Sequence, residues 1–115
     1  MKIGNRELEI PVIQGGMGVG VSMSGLAGHV AACGGIGIIS TAQIGFCSPD
    51  FNKNPIPCNL EAIKEEIRKA KDIAGGRGMV GVNIMVVTRR YEDYVKAAVD
   101  AGADIIISGA GLPMD

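Results

Sequence analysis

Four short apolar runs in this chain each end in a polar residue, and a loop rich in glycine or small residues follows each run. With their terminal polar residues, the runs cover positions 11–14, 36–40, 80–83 and 105–108. β-Branched runs without alternation are typical of parallel strands buried on both faces. Because parallel strands end at the same edge of a sheet, the polar residues are expected on one face. Loops on that face commonly build ligand sites.

Segments with helical periodicity separate these runs, which predicts strands joined by helical crossovers. Strands are predicted over 10–14, 36–40, 79–86 and 104–108, and helices over 22–34, 60–74 and 91–101. Ser22 or Ser24 is expected to cap the first helix, and Asn59 the second. The order βαβαβαβ indicates an α/β fold with a parallel sheet.

A long segment, 41–58, is predicted to be irregular because it contains three prolines, Pro49, Pro55 and Pro57. It follows the polar end of the second strand. Long loops in compact domains are often functional, so the segment is either a flap over the strand ends or an excursion on the surface.

Two folds fit this order, a doubly wound sheet and a (β/α)₈ barrel. A dinucleotide-binding sheet would need a third glycine where this chain has Val21, and an acid where the second strand ends in Ser40-Thr41. The barrel predicts a functional group at the end of every strand. The barrel is therefore favoured, and residues 1–115 are expected to form the amino-terminal half of one.

Charge and cysteine content exclude several classes of function. The formal net charge is −1 and no basic stripe is interleaved with aromatic residues, so no nucleic-acid partner is expected. The three cysteines lack CxxC spacing, so neither a metal site nor a disulfide framework is expected. Without a signal peptide or an apolar stretch of about 20 residues, the expected location is the cytoplasm, with no membrane partner.

Three motifs, in order, resemble the nitronate monooxygenase family, whose older name is 2-nitropropane dioxygenase. They are IPVIQGGMGVGVSMSGLAGHVAACGGIGIIS, GVNIM and AGADIIISGAGLP. Flavin-dependent type II enoyl-carrier-protein reductases share these motifs. The resemblance runs from about Lys2 to Pro113 and implies an FMN-binding TIM barrel. Its substrate would be an alkyl nitronate, oxidised with O₂ to a carbonyl compound and nitrite, or alternatively an enoyl thioester.

The resemblance also implies which residues contact the flavin. Backbone groups of Gly16, Met17 and Gly18 would face the ring, which glycine allows a backbone to approach closely. Asn83 would hydrogen-bond the ring, since an amide both donates and accepts. Gly109 and Gly111 would border the ring and the substrate pocket.

In this family the catalytic histidine and the phosphate-binding glycine loops belong to later strands. The single histidine here, His29, falls inside the first predicted helix. No catalytic residue is therefore expected within 1–115, and activity is expected only of a full-length protein. A different class of function remains open: a non-catalytic half-barrel that self-associates, or pairs with a complementary half, through its open strand edges.

Overall fold

A computed structural model describes residues 2–111, which form an α/β fold around a three-stranded parallel sheet. Leu112 and Pro113, the end of the third motif, lie outside the described residues. In chain order the elements are β1 (Lys2–Ile3), β2 (Arg6–Glu7), α1 (Ser24–Ala32), β3 (Ile36–Ser40), α2 (Pro55–Ala74), β4 (Met79–Met85), α3 (Tyr91–Asp100) and β5 (Ile105–Gly109).

The parallel sheet has the order β3-β4-β5, so strands that are consecutive in the chain are neighbours in space. Ser40 at the end of β3 pairs with Asn83 of β4, and Met85 pairs with Gly109 at the end of β5. The carboxyl ends of the strands therefore lie side by side, as the apolar runs predicted.

The two faces of the sheet are covered differently. On one face Ile39, Val82 and Ile84 pack in a core to which all three long helices contribute. On the other face Ile36 and Ile38 pack with Met79 and with Leu8, and no described helical residue belongs to this cluster. Both faces of β3 are buried, which explains why its sequence does not alternate between apolar and polar residues.

The predicted strand over 10–14 is wrong as a regular strand. Only Ile13 forms a bridge, to Ile36 of β3. The pairing stops because the Gln14 side chain takes the place of a main-chain carbonyl. Its Oε1 accepts the Ile38 N–H at 3.0 Å. The segment still extends the sheet beside β3, since the N–H of Gln14 donates to the carbonyl of Ile36 at 3.0 Å.

The irregular segment after β3 ends at Asn54 and not at residue 58, because α2 begins at Pro55. Proline fits the first turn of a helix, where its missing N–H has no helical partner to lose. Asn59 therefore lies inside α2 and does not cap it. Gly75, in the left-handed conformation, ends the helix where it was expected to end.

The start of α1 also differs from the prediction. The helix begins at Ser24 after Met23, and no side chain caps it, so neither Ser22 nor Ser24 has the predicted role. Helices α1 and α2 cross closely at Gly28, where an added Cβ would lie 2.7 Å from the Ile73 Cβ. The hairpin of β1 and β2 was not predicted. It lies at the amino end of the sheet, where Arg6 donates to the carbonyl of Gly78.

Candidate functional site at the carboxyl ends of the strands

Gly16 and Asn83 meet at the centre of the carboxyl end of the sheet. The Nδ2 of Asn83 donates a hydrogen bond to the carbonyl of Gly16 at 3.2 Å. A Cβ added at Gly16 would lie 2.7 Å from Cγ2 of Ile38 and 3.1 Å from Cβ of Asn83. Glycine is thus required here because the loop after Ile13 packs directly on β3 and β4.

Asn83 also connects a third segment to this centre. Its backbone carbonyl accepts hydrogen bonds from the N–H of Thr41 at 3.2 Å and from the hydroxyl of Thr41 at 2.9 Å. Its side-chain Oδ1 has no hydrogen-bond partner among residues 2–111. Asn83 therefore ties two loops to β4 and keeps one acceptor available, whereas the role of Thr41 was not predicted.

The loop from Gly15 to Met23 is folded around Ser22, which is buried. The hydroxyl of Ser22 accepts the N–H of Met17 at 3.0 Å and lies 3.3 Å from Nε2 of Gln14. The N–H of Ser22 donates in turn to the carbonyl of Met17 at 3.2 Å. Both backbone groups of Met17 are therefore used inside the loop, while its side chain is 74% exposed.

Gly18 lies in the same loop and adopts a φ of +74°, a conformation that favours glycine. A Cβ at this position would lie 3.1 Å from the Val21 side chain. The structure thus brings Gly16, Met17 and Gly18 to the carboxyl ends of the strands, in a tight turn beside Asn83. Whether their backbone groups contact a flavin stays a prediction.

At the end of β5, Gly109 and Gly111 lie in different surroundings. A Cβ added at Gly109 would meet no heavy atom within 4 Å, whereas one at Gly111 would lie 3.2 Å from Cβ of Val86. The carbonyl of Gly109 accepts the N–H of Val86 at 2.8 Å. The surface in front of Gly109 is therefore open. Their proposed contacts with a flavin also stay a prediction.

The polar residue that ends the fourth run, Ser108, faces the helices. Its hydroxyl lies 2.6 Å from that of Tyr91 at the start of α3. Since side chains alternate along a strand, Gly109 then faces the opposite side, together with Asn83 and Ser40. Ser108 is thus part of the packing between β5 and α3.

Unfavourable backbone geometry and exposed apolar side chains both concentrate at this end of the molecule. Three described residues other than glycine have a positive φ, and each follows a parallel strand: Gln43, Arg90 and Ala110. The exposed apolar side chains on the same loops and strand ends are Met17, Val19, Val21, Phe46, Met85 and Val87. Strain of this kind tends to cluster at binding sites, and exposed apolar patches commonly mark them.

His29 lies on α1, where its Nδ1 is 2.6 Å from the carbonyl of Gly25. No cluster of three or more metal-ligating side chains occurs within 2–111. What the arrangement offers is one amide oxygen, an open strand end and an apolar rim, features that ligand sites commonly combine.

A concave surface lies elsewhere on the molecule. A groove of about 860 Å³ runs between loop 41–54 and α2, and none of the six predicted contact residues lines it. The loop is held to the helix by Asn59, whose Oδ1 accepts the N–H of Gly45 at 2.8 Å. The amide of Asn59 also donates to the hydroxyl of Tyr94 at 2.8 Å. This position was predicted only as a helix cap.

Comparison of the chain with protein-family models gives no match, and comparison with curated proteins finds no similar protein. Across the described part of the chain, no helix is long and apolar enough to cross a membrane.

Proposed function

We propose that this chain supplies one wall of the flavin site in an FMN-dependent oxidoreductase of the nitronate monooxygenase type, as the amino-terminal half of its (β/α)₈ barrel. The observation that carries the proposal is the contact between Asn83 and Gly16. It joins the glycine-rich loop of the first motif to the asparagine of the second, two positions that the resemblance assigns to the flavin. Two βα loops that are distant in sequence converge there on β4.

The strand order supports a barrel over a doubly wound sheet. In a doubly wound sheet the order reverses at a switch point and helices cover both faces. Here the order is sequential, from the bridge at Ile13 through β3 and β4 to β5. The three long helices contribute to the core on one face only. A barrel requires sequential parallel strands with all helices on the outer face of the sheet.

The residues present fit one side of a flavin ring. Asn83 Oδ1 is an available acceptor for a ring N–H, and the space in front of Gly109 admits a flat group. The exposed side chains of Met17 and Val87 would cover apolar parts of the ring and keep water away. FMN, when bound, would supply the redox chemistry, taking electrons from the nitronate and passing them to O₂.

The proposal is tested on the full-length protein with Asn83→Ala. We expect a flavin absorbance band in the purified wild type, nitrite release from propyl-2-nitronate, and loss of most bound flavin in the variant. Asn5→Ala is the matched control, because Asn5 is an exposed amide at the other end of the sheet. Equal flavin content in both variants would argue against a contact at Asn83, and a wild type without flavin would contradict the whole proposal.

The same protein separates the two substrate classes. Oxygen consumption with a nitronate supports the monooxygenase. Oxidation of NADH with an enoyl thioester, in the absence of nitronate turnover, would instead support the reductase.

A second candidate, the self-associating half-barrel, is favoured by the two edges of the sheet. Every residue of β5 is partly exposed along the edge that has no described strand beside it. At the opposite edge Val12 and Ile13 are exposed. Unpaired strand edges promote association. Light scattering on the 115-residue chain tests this candidate, and a monomer with a sharp thermal transition would contradict it.

A further inference from the structure

The groove between loop 41–54 and α2 is independent of the proposed flavin site. Residues of one stripe of α2 form its floor, from Cys58 through Ala62 to Lys69, and the loop forms the opposite wall with Ile44 and Ser48. Asn59 fixes that wall by accepting the N–H of Gly45. The groove is thus built between two segments that a buried hydrogen bond holds together.

A buried carboxylate faces this groove. Glu66 is only 9% exposed, and its Oε2 is buried with no hydrogen-bond partner among the described residues. The nearest cation is Lys69, whose Nζ lies 3.9 Å from Oε2, beyond hydrogen-bond distance. Buried charges are normally paired and hydrogen-bonded, because removing them from water is costly. Glu66 therefore lacks the close donor that such a site usually contains.

Acidic residues outnumber basic ones among the other charged residues that line the groove. Asp50, Glu61 and Glu65 line it as well, and Lys69 is the single basic residue among the described lining residues. The Lys69 side chain is 64% exposed, so it compensates the buried oxygen only weakly. The groove consequently has a negative potential that attracts a cation.

Apolar side chains complete the walls. Met23, Ile44, Pro57 and Ala62 line the groove between the carboxylates. Apolar walls would not contribute to binding a metal ion, and the described residues contain no cluster of metal-ligating side chains. An aliphatic chain carrying more than one ammonium group would use both features, with methylenes against the apolar walls and ammonium groups at the carboxylates.

We propose that this groove binds an aliphatic polyamine, with one ammonium group taking the place of Lys69 beside the Glu66 carboxylate and another held by the carboxylates at the mouth. Binding supplies the close donor that Glu66 lacks and displaces Lys69 from its loose ion pair. The site requires no flavin, so its occupancy is independent of the proposed oxidoreductase activity.

Calorimetric titration of the full-length protein with spermidine at physiological ionic strength tests the proposal. Glu66→Gln should weaken binding about tenfold or more, because the ammonium then loses its buried charged acceptor. Glu92→Gln is the matched control: Glu92 is an exposed carboxylate in the first turn of α3, away from the groove. It should change the affinity less than about twofold. Equal weakening in both variants would show non-specific attraction by net charge and would overturn the proposal.

Lys69→Gln is expected to change the affinity for spermidine in the opposite direction, which gives an independent test. Removing the competing cation should tighten spermidine binding about threefold, because the ligand no longer has to displace it. Unchanged or weaker binding would overturn the proposal, and this arm decides it even if Glu66→Gln does not fold. Mg²⁺ is titrated in parallel, and Mg²⁺ that binds more tightly than spermidine would contradict the choice of ligand.

Discussion

The two ends of the parallel sheet are constructed differently. At the amino end, Asp104 is a hub: it forms ion pairs with Arg6 and Lys71, and its Oδ2 accepts the N–H of Val80 at 3.0 Å. Only 17% of the Asp104 side chain is exposed. One carboxylate thus connects the hairpin, α2 and the start of β4.

At the carboxyl end most contacts are hydrogen bonds between uncharged groups instead of ion pairs. The central link is the hydrogen bond between Asn83 and Gly16, and the ion pair of Arg90 with Asp93 joins neighbours in sequence at the surface. Met17 and Val87 are largely exposed. We expect the amino end to contribute more of the stability, so that strained backbone and exposed apolar groups are tolerated at the carboxyl end.

Gly78→Ala should cause the largest loss of stability, about 3 kcal/mol or more. Gly78 has a φ of +58°, and an added Cβ would overlap the carbonyl oxygens of Ala31 and Gly35. Gly76→Ala is the control, because Gly76 has a φ of +83° with open space around it, so only the backbone strain of about 1 kcal/mol applies. Urea unfolding measures both. Equal losses of stability in the two variants would show that the packing around Gly78 at the amino end is not tight.

Asp104→Asn tests the hub and should lower the free energy of unfolding by about 2 kcal/mol. The amide oxygen can still accept the Val80 N–H, but the ion pairs with Arg6 and Lys71 are lost. Asp93→Asn removes one exposed ion pair at the other end and should cost only about 0.5 kcal/mol. Thermal unfolding of the two variants compares the ends directly. A larger loss for Asp93→Asn would reverse the proposed division.

Ser22→Ala should cost about 1 kcal/mol and loosen one loop at the carboxyl end. The N–H of Met17 loses its acceptor, and Gln14 loses a partner. Hydrogen exchange should become faster in residues 15–21 while β3 and β4 stay protected. The control is Ser24→Ala, since Ser24 does not cap α1. Faster exchange throughout the sheet would mean that this loop contributes to global stability.

Gly109→Ala should have the smallest effect on folding, within about 0.5 kcal/mol, because the added methyl meets nothing within 4 Å. On the proposed function it should nevertheless reduce the flavin content of the full-length protein, since the methyl would project into the open surface. Absorbance spectroscopy of the purified variant checks this expectation. Unchanged flavin content would separate Gly109 from the proposed site without affecting the fold.

Much of the fold could be predicted because the pattern of apolar residues is local. The apolar runs that end at Ser40, Asn83 and Ser108 lie in parallel strands, at or near their carboxyl ends. Helices α2 and α3 lie where helical periodicity predicted them. The start of α2 was predicted too late, because the prolines at 55 and 57 indicate a break in regular structure, although the first helical turn accepts them. The first strand was predicted too long, because nothing in the run itself shows that the Gln14 side chain would end the pairing.

The candidate site was predicted only in its location. Gly16, Met17, Gly18, Asn83 and Gly109 all lie at the carboxyl ends of the strands or on the loop beside them. The contacts that hold them were missed: Ser22 had been assigned to a helix start, and Thr41 had no assigned role. Both residues act through backbone groups of other residues: Ser22 bonds the N–H of Met17 in its own loop, and Thr41 bonds the carbonyl of Asn83 in β4. Residue type alone carries little signal for such contacts.

The sequence by itself determined which segments become strands and helices and which strand ends carry polar groups, because burial periodicity is a property of neighbouring residues. Only the tertiary structure decided what those groups touch. Asn59 donates a hydrogen bond to Tyr94, 35 positions further along the chain, and Gly16 packs on Ile38 and Asn83. Glu66, an ordinary helical position by sequence, becomes a buried carboxylate without a close donor among residues 2–111. These outcomes depend on how separate elements pack together, which no local pattern specifies.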